Sequence, residues 1–451
     1  MPPQKNKKDF HYLRYGIAAD KKYLIEYINN YGNLILNAKT VAFSGEQLFL
    51  FLHKIHDKVD FVIDPETHIF QHDRSCIEST TKKNKGKNVI RKSIRALVEA
   101  YGNPIDKILK SKNVLSPKHF DDKDIPEFCK RVLNFQIDTV KKQESESDVS
   151  EYFKFLKEKK LVKEDSITPS YVIAPYFYLF GPDFKEWLGL NVKFIKNSIT
   201  HTRKRNFSLA AELVLSQDIL TDRKKLDLII KEYNQLNLQR IYLWIDSFSE
   251  HESSESSLES FIYLLKNLQS SIINLYGGYF SIVLKKTGLC KNLEGVSHGI
   301  GFGEERSVVP VGGGVPAAKY YLKPLHKRLI YRNALRSIKP LDGSKDKSSF
   351  LKNICDCAMC QMLVKKSPLD DFQFYGITKP GKDFREYPTP KTIEFCIRHY
   401  MNCKVKEYSD EIKVEELDSK MRSVYQKLKG IIPDEISHCI KWIDVLNNVS
   451  S

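Results

Sequence analysis

The sequence has no run of about eighteen apolar residues, so it offers no candidate for a membrane-crossing helix. Its first ten residues, MPPQKNKKDF, carry charge and lack the apolar centre of a secretory signal. A cytoplasmic protein with no membrane partner is therefore expected. A disulfide framework is equally absent: the nine cysteines are an odd number, and three of them crowd into one short stretch. That usage fits a reducing compartment in which thiolates serve a metal. The chain is also short of acid, with 56 Asp and Glu against 72 Lys and Arg, a formal net charge of +16. A surplus of that size favours a polyanionic partner, nucleic acid before membrane, because no basic amphipathic anchor accompanies it. The dinucleotide-binding fingerprint is missing as well. Gly299-Ile-Gly-Phe-Gly303 lacks the third glycine spacing and runs into Glu304-Glu-Arg306, which would repel a pyrophosphate. What those glycines do permit is a flat ring lying directly on the backbone.

What is present centres on Ile354–Gln361, where Cys355, Cys357 and Cys360 form C-x-C-x-x-C. Three thiolates on one tight turn converge on a point about one metal–sulfur bond away, which favours zinc. The best fourth ligand is His399, in Phe395-Cys-Ile-Arg-His-Tyr-Met-Asn-Cys403, with Cys396 or Cys403 as alternatives.

At 451 residues and 41% hydrophobic content, the chain can bury a core of barrel size and still carry appendages. Strand patterns are read at Lys39–Ser44, Phe61–Ile63, Tyr171–Leu179, Ala210–Leu220, Arg240–Phe248, Ile273–Leu284, Gly295–Glu304 and Lys319–His326. Helical patterns such as Lys21–Tyr31, Gln47–Ile55, Arg223–Leu236 and Leu258–Leu268 lie among them. Eight strands alternating with helices predict an α/β fold, a (β/α)8 TIM-type barrel, with an open doubly wound sheet as the alternative. The division is 1–74 for the start of the barrel, 75–168 for an inserted basic and helical segment, 169–340 for the rest of the barrel, and 341–451 for a zinc-binding helical appendage. In the last of these, Lys413–Lys429 and Glu435–Asn448 are expected to be amphipathic helices.

Active sites of such barrels sit at the carboxyl ends of the strands. Here those positions carry Asp64, Tyr176, Gln217, Asp246, Tyr279, His298, Glu304 and His326. Asp64-Pro65 can equally be an ordinary turn start. Two basic stretches are suited to phosphates: Thr80–Lys92, with Lys82, Lys83, Lys85 and Lys87, and His201–Arg205, with Arg203, Lys204 and Arg205.

Three motifs in the same chain order resemble those of the tRNA-guanine transglycosylase family, zinc-containing barrels that exchange guanine for a 7-deazaguanine base. They are the Cys355, Cys357, Cys360 and His399 set, the Gly299-Ile-Gly-Phe-Gly-Glu304 strand end, and Val62-Ile-Asp-Pro-Glu-Thr-His-Ile-Phe-Gln71. The resemblance spans roughly 59–400 and is discontinuous. It implies one structural zinc per chain and a polynucleotide substrate. It also implies base contacts from Gln71, Gln217, His298, Gly299, Gly301, Glu304 and His326, and a covalent aspartyl–sugar intermediate. Several features depart from the family. Pro65-Glu-Thr-His68 replaces its Gly-Gly, the gap from Cys360 to His399 is longer, and the Phe-Asp segment that holds its nucleophile has no counterpart. These departures lean toward the divergent branch that installs a preQ0-like 7-deazaguanine base in DNA, possible accessory proteins such as an ATPase included. The alternatives are a tRNA enzyme proper and a zinc-containing nucleic-acid-binding barrel that has lost catalysis. For the nucleophile, Asp246 follows the buried-strand pattern Tyr242-Leu-Trp-Ile245, whereas Asp342 is bracketed by Pro340 and Gly343 as a turn residue. Asp246 is therefore expected to attack C1′ and Asp64 to serve as the base-contacting acid/base, or the two with roles exchanged.

Overall fold

The computed structural model describes residues 10–16, 21–80, 88–111, 113–146, 167–301, 303–309, 318–381 and 385–450. Eight parallel strands close into a barrel. They are β1 (His11–Tyr15), β2 (Asn33–Asn37), β3 (Asp60–Asp64), β4 (Tyr171–Ile173), β5 (Leu209–Leu215), β6 (Arg240–Ile245), β7 (Ser271–Asn274) and β8 (Leu293–Gly299). Each strand pairs with its neighbour in chain order, and β8 closes onto β1 in the register His11 with Val296 through Arg14 with Gly299.

Strands buried on both faces read as nearly continuous apolar runs, as in Leu-Ala-Ala-Glu-Leu-Val-Leu of β5. Alternation splits each strand between two cores. Tyr12, Ile35, Val62, Ile173, Ala210, Val214, Tyr242, Trp244 and Ile273 fill the lumen. Leu13, Leu34, Leu36, Ile63, Leu213 and Leu243 face the surrounding helices. The helices return the chain with one apolar stripe inward. In Arg223–Asn234 the buried residues are Leu226, Ile229, Ile230 and Tyr233, at helical spacing. Asp222 caps that helix by accepting from the Lys225 backbone N–H at 3.2 Å.

The barrel is as expected, but several strand readings are corrected. Lys39–Ser44 is not a strand; it begins the helix Ala38–Ile55. The buried positions Ala38, Val41, Leu48, Phe51, Leu52 and Ile55 fall at the helical spacings of three, four and seven, a period that a six-residue window hides. The true first strands are His11–Tyr15 and Asn33–Asn37. Lys319–His326 lies outside the barrel, with Lys319–Leu322 pairing antiparallel to Lys327–Ile330. Ile273–Leu284 is a strand only as far as Asn274, and from Tyr279 a helix runs to Lys286. The readings Ala210–Leu220 and Gly295–Glu304 likewise end early, at Leu215 and Gly299.

Among the described residues between β3 and β4 lie 3-10 turns, the first at Thr67–Gln71, the hairpin Glu78–Thr80 with Asn88–Ile90, and the α-helices Lys92–Tyr101, Ile105–Ser111 and Ile125–Glu146. The last of these, Ile125–Glu146, packs against both Ala38–Ile55 and Phe184–Lys204 and so takes the place of a barrel helix. The Tyr101 hydroxyl donates to the Pro65 carbonyl at 2.7 Å, tying this segment to the loop after β3. The carboxyl-terminal part is helical, with Pro390–Ser409, Val414–Leu428 and His438–Ser450 as its longer helices. Among the described residues no helix is long and apolar enough to cross a membrane.

Candidate active site and metal centre

Asp64 is the last residue of β3 and is fully buried. Its Oδ2 pairs with the buried Arg14 guanidinium from β1, and its Oδ1 accepts from the Tyr176 hydroxyl at 2.6 Å and the Glu66 backbone N–H at 2.9 Å. Arg14 lies over the rings of Trp244 and Tyr276, 5.4 and 5.1 Å from their centroids. Burial works against its charge, but Tyr276, Asp64 and Glu212 outweigh burial and push the pKa of Arg14 up.

Asp246 follows β6 and remains half-buried. It accepts from the Tyr178 hydroxyl at 2.8 Å, the Val308 backbone N–H at 2.8 Å and the Ser247 hydroxyl at 3.0 Å. Gln217 closes the loop beneath it, donating from Nε2 to the carbonyls of Asp246 and Ser247 at 3.2 and 3.0 Å. Gln71 holds the segment between the two acids: it accepts from the Tyr178 N–H at 2.6 Å and donates to the Tyr178 carbonyl at 3.1 Å. Asp64, Gln71, Gln217 and Asp246 therefore share one hydrogen-bonded rim at the carboxyl ends of the strands. Two histidines line it in neutral form. Burial holds His68 well below its ordinary pKa, and burial lowers His72 to about 4 although Asp246 works against this.

The other strand-end residues gather elsewhere. His298 lies 2.9 Å from the Tyr31 hydroxyl and is packed against the rings of Tyr400 and Tyr408. Glu304 pairs with the wholly buried Lys404 at 2.8 Å, and Lys404 with Glu407 at 2.9 Å. His326 lies against Glu407 at 2.6 Å and stacks on Tyr279 with 3.4 Å between centroids. These residues build a joint between the barrel and helix Pro390–Ser409 rather than a rim. Within that joint burial raises Glu304 to about 7 against the pull of Lys404. Glu407 is held at about 2, because Lys404, His326 and Tyr321 together overcome its burial. Gly299 and Gly303 exchange backbone hydrogen bonds of 2.8 and 3.2 Å around Gly301, and Gly303 takes a φ of +75°, which favours glycine.

Lys82, Lys83, Lys85 and Lys87 lie outside the described residues, as does Phe302. Arg203, Lys204 and Arg205 stand at the end of helix Phe184–Lys204. Barrel helices run back toward the amino-terminal face, so these three cations are opposite the Asp64 rim. Arg205 is moreover engaged with Asp138 at 2.8 Å. Beyond the loop after β3, a cleft of about 720 Å3 is lined by Arg74, Arg95, Lys110 and Arg131, with Glu99 and Asp106 among them. Arg74 pairs with Glu78, Lys110 with Asp106 at 2.7 Å, and Arg131 donates to the Ala100 and Glu99 carbonyls. Asp342 is exposed, has a φ of +61° and pairs with Lys427 at 2.6 Å, a turn residue remote from the rim.

Cys355, Cys357, Cys360 and His399 are all buried, and their ligand atoms lie within 4.8 Å of one another. Tetrahedral coordination with metal–sulfur bonds of about 2.3 Å requires ligand separations of about 3.8 Å, so the set fits a metal ion. The His399 ring is oriented for ligation. Its Nε2 lies 2.8 Å from the Tyr321 carbonyl, while Nδ1 faces the Cys357 and Cys360 sulfurs at 3.2 and 3.5 Å. An Nε2–H donated to that carbonyl leaves the Nδ1 lone pair for a metal. Of the alternative ligands, Cys403 Sγ is 3.5 Å from Cys355 Sγ and flanks the set, whereas Cys396 points to the Tyr375 carbonyl.

Sequence reasoning passed over Arg14, Asn37, Tyr178 and Glu212. The available signal was a charged or amide residue on the lumen face of an otherwise apolar strand, plainest for Glu212 within Ala210–Leu215. No protein-family model and no curated protein matches the chain.

Proposed function

We propose that the protein is a transglycosylase that exchanges guanine in nucleic acid, DNA in preference to tRNA, for a 7-deazaguanine base. The observation that supports this reading most is the pair of carboxylates on one rim, Asp64 and Asp246, each held by a tyrosine hydroxyl. Base exchange by double displacement needs two such groups. One attacks C1′ as guanine leaves and forms an aspartyl–sugar bond, and the other moves protons on and off the bases. Their surroundings suit different roles. Asp246 is the more open, and its carboxylate is the one a nucleoside can approach. Asp64 is enclosed and charge-paired, suited to handling protons rather than to attack. The base must leave its stack to arrive there. Gln71 acts by fixing the backbone beneath the acids, since both ends of its amide are engaged, and Gln217 holds the Asp246 loop through its Nε2. In the cleft beyond the loop after β3, Arg95 and Arg131, which have no carboxylate partner among the described residues, suit flanking phosphates better than the ion-paired Arg74 and Lys110.

Zinc is the metal that three thiolates and an imidazole favour. Held by these four protein ligands it would have no open position and would serve structure, joining the turn at Cys355–Cys360 to helix Pro390–Ser409.

A second reading, a nucleic-acid-binding barrel without catalysis, is favoured by the complete enclosure of Asp64. Labelled guanine offered with DNA and with tRNA separates the two. Incorporation into DNA that depends on Asp246 is the expected result, and binding without incorporation into either polymer would overturn the enzymatic reading.

A further inference from the structure

The lumen beneath Asp64 holds a second carboxyl group that the base-exchange reading leaves unused. Glu212 stands in the middle of β5, on the lumen face with Ala210 and Val214, and is 1% exposed. Neither of its oxygens has a hydrogen-bond partner among the described residues. The charged and titratable groups that act on it are Asp64, Arg14 and Glu66, together with the Tyr176 hydroxyl, and it acts in turn on Tyr233 behind the strand.

A charge count over this enclosure does not balance if every acid is ionised. Glu66 is answered by Lys39 at 2.7 Å. Asp64 is answered by Arg14. Among the described residues no third cation is found acting on Glu212. An unpaired carboxylate in a closed, low-dielectric site takes up a proton rather than stay charged. Of two buried carboxyls around one guanidinium, the one in contact with it keeps its charge.

We propose that Asp64 and Glu212 hold a single proton between them at neutral pH, with Glu212 as its resting seat, so that Glu212 is the proton reserve for Asp64. Glu212 is thus a positioning residue that acts through Asp64. This inference rests on the base-exchange reading for its catalytic consequence. When the C1′–N9 bond breaks, its electron pair goes to N9 of the departing guanine. The one proton passes from Glu212 by way of the Tyr176 hydroxyl and Asp64 to that nitrogen, leaving both carboxylates ionised. The incoming base then loses its N9 proton to the same pair as its nitrogen forms the bond to C1′ and the sugar–aspartyl bond breaks. One proton leaves and one returns, and no other reactant is needed. Burial raises Glu212 well above the ordinary carboxyl range, with Asp64 adding to the effect and Arg14 opposing it, as a protonated resting state requires.

The test uses the full chain and Glu212→Gln, which keeps the shape and neutrality of the protonated acid but cannot exchange its proton. Infrared difference spectra at pH 7 should contain the carbonyl band of a protonated carboxylic acid in wild type that Glu212→Gln lacks. The variant should keep the wild-type melting temperature. Its base-exchange rate and its rate of adduct formation should both fall at least about tenfold, with an altered pH profile. An identical band in both proteins, or an unchanged pH profile at full rate, would overturn the assignment. If wild type exchanges no base yet the band is present and lost in Glu212→Gln, the shared proton stands and the base-exchange reading is what fails.

Discussion

Tyr176 and Tyr178 stand two residues apart on one segment, and their hydroxyls donate to different carboxylates, Tyr176 to Asp64 at 2.6 Å and Tyr178 to Asp246 at 2.8 Å. In an extended chain residues i and i+2 share a face and are about 7 Å apart. The segment therefore acts as a spacer between the two acids. It is fixed in turn by the 3-10 turn after β3, through Thr67, whose hydroxyl accepts from the Tyr176 N–H at 2.9 Å, and through Gln71 on Tyr178. A single element beyond β3 thus sets the position of both acids, and preorganisation of that kind is what attack on C1′ demands.

Metal retention separates the ligands from their neighbour. Cys355→Ser should lose the metal and lower the melting temperature by several degrees, because binding energy at such a site is folding energy. Cys403→Ser should keep the metal, since Cys403 flanks the set without joining it. Elemental analysis of the purified variants checks both, and stoichiometric zinc in a Cys355/Cys357 double serine variant would contradict the ligand set.

Among the described residues Lys404 is the one cation paired with both Glu304 and Glu407, and it is 0% exposed. Replacing it with Met should cost about 3–5 kcal/mol, because two buried acids lose their counter-charge. The loss should be greater at pH 8 than at pH 5. With Lys404 absent both acids must be protonated to stay buried, which is easy near pH 5 and increasingly costly above it. In wild type the contributions have opposite signs. Glu304, raised to about 7, stabilises fully below its unfolded pKa of 4.5 and loses that contribution as pH rises through 7. Glu407, lowered to about 2, stabilises above its unfolded pKa of 4.5 and loses that contribution as pH falls through 2. Urea unfolding at the two pH values measures the difference.

The two faces of the barrel should differ in nucleic-acid binding. Arg95→Glu with Arg131→Glu, in the cleft beyond the loop after β3, should weaken DNA binding and reduce the slope of log affinity against log salt by about one per lost phosphate contact. Arg203→Glu with Lys204→Glu, on the opposite face, should leave affinity and slope unchanged. Titrations across a salt series decide, and the reverse pattern would mean that DNA approaches the amino-terminal face.

Much of the architecture was legible where a strand is long and uniformly apolar, as in Tyr242-Leu-Trp-Ile245 before Asp246. The pattern C-x-C-x-x-C with His399 was legible because ligand chemistry is local in sequence. The first two strands were not. His-Tyr-Leu-Arg-Tyr and Asn-Leu-Ile-Leu-Asn are each five residues with polar members, and those polar members, Arg14 and Asn37, are polar because they face the lumen. The same feature that hid the strands hid part of the site. His298, Glu304 and His326 failed as rim residues for a different reason. Strand-end position alone does not fix orientation, and these side chains point to helix Pro390–Ser409, whose packing cannot be read from a single strand.

The central claim is that Asp246 forms a covalent bond to the sugar while Asp64 manages protons. Its most direct measurement is a denaturing gel of protein incubated with labelled DNA. Wild type should show a covalent protein–DNA adduct, Asp246→Ala should show none while still folding and binding DNA, and Asp342→Ala should match wild type. An adduct that persists in Asp246→Ala, or one abolished by Asp342→Ala alone, would contradict the account.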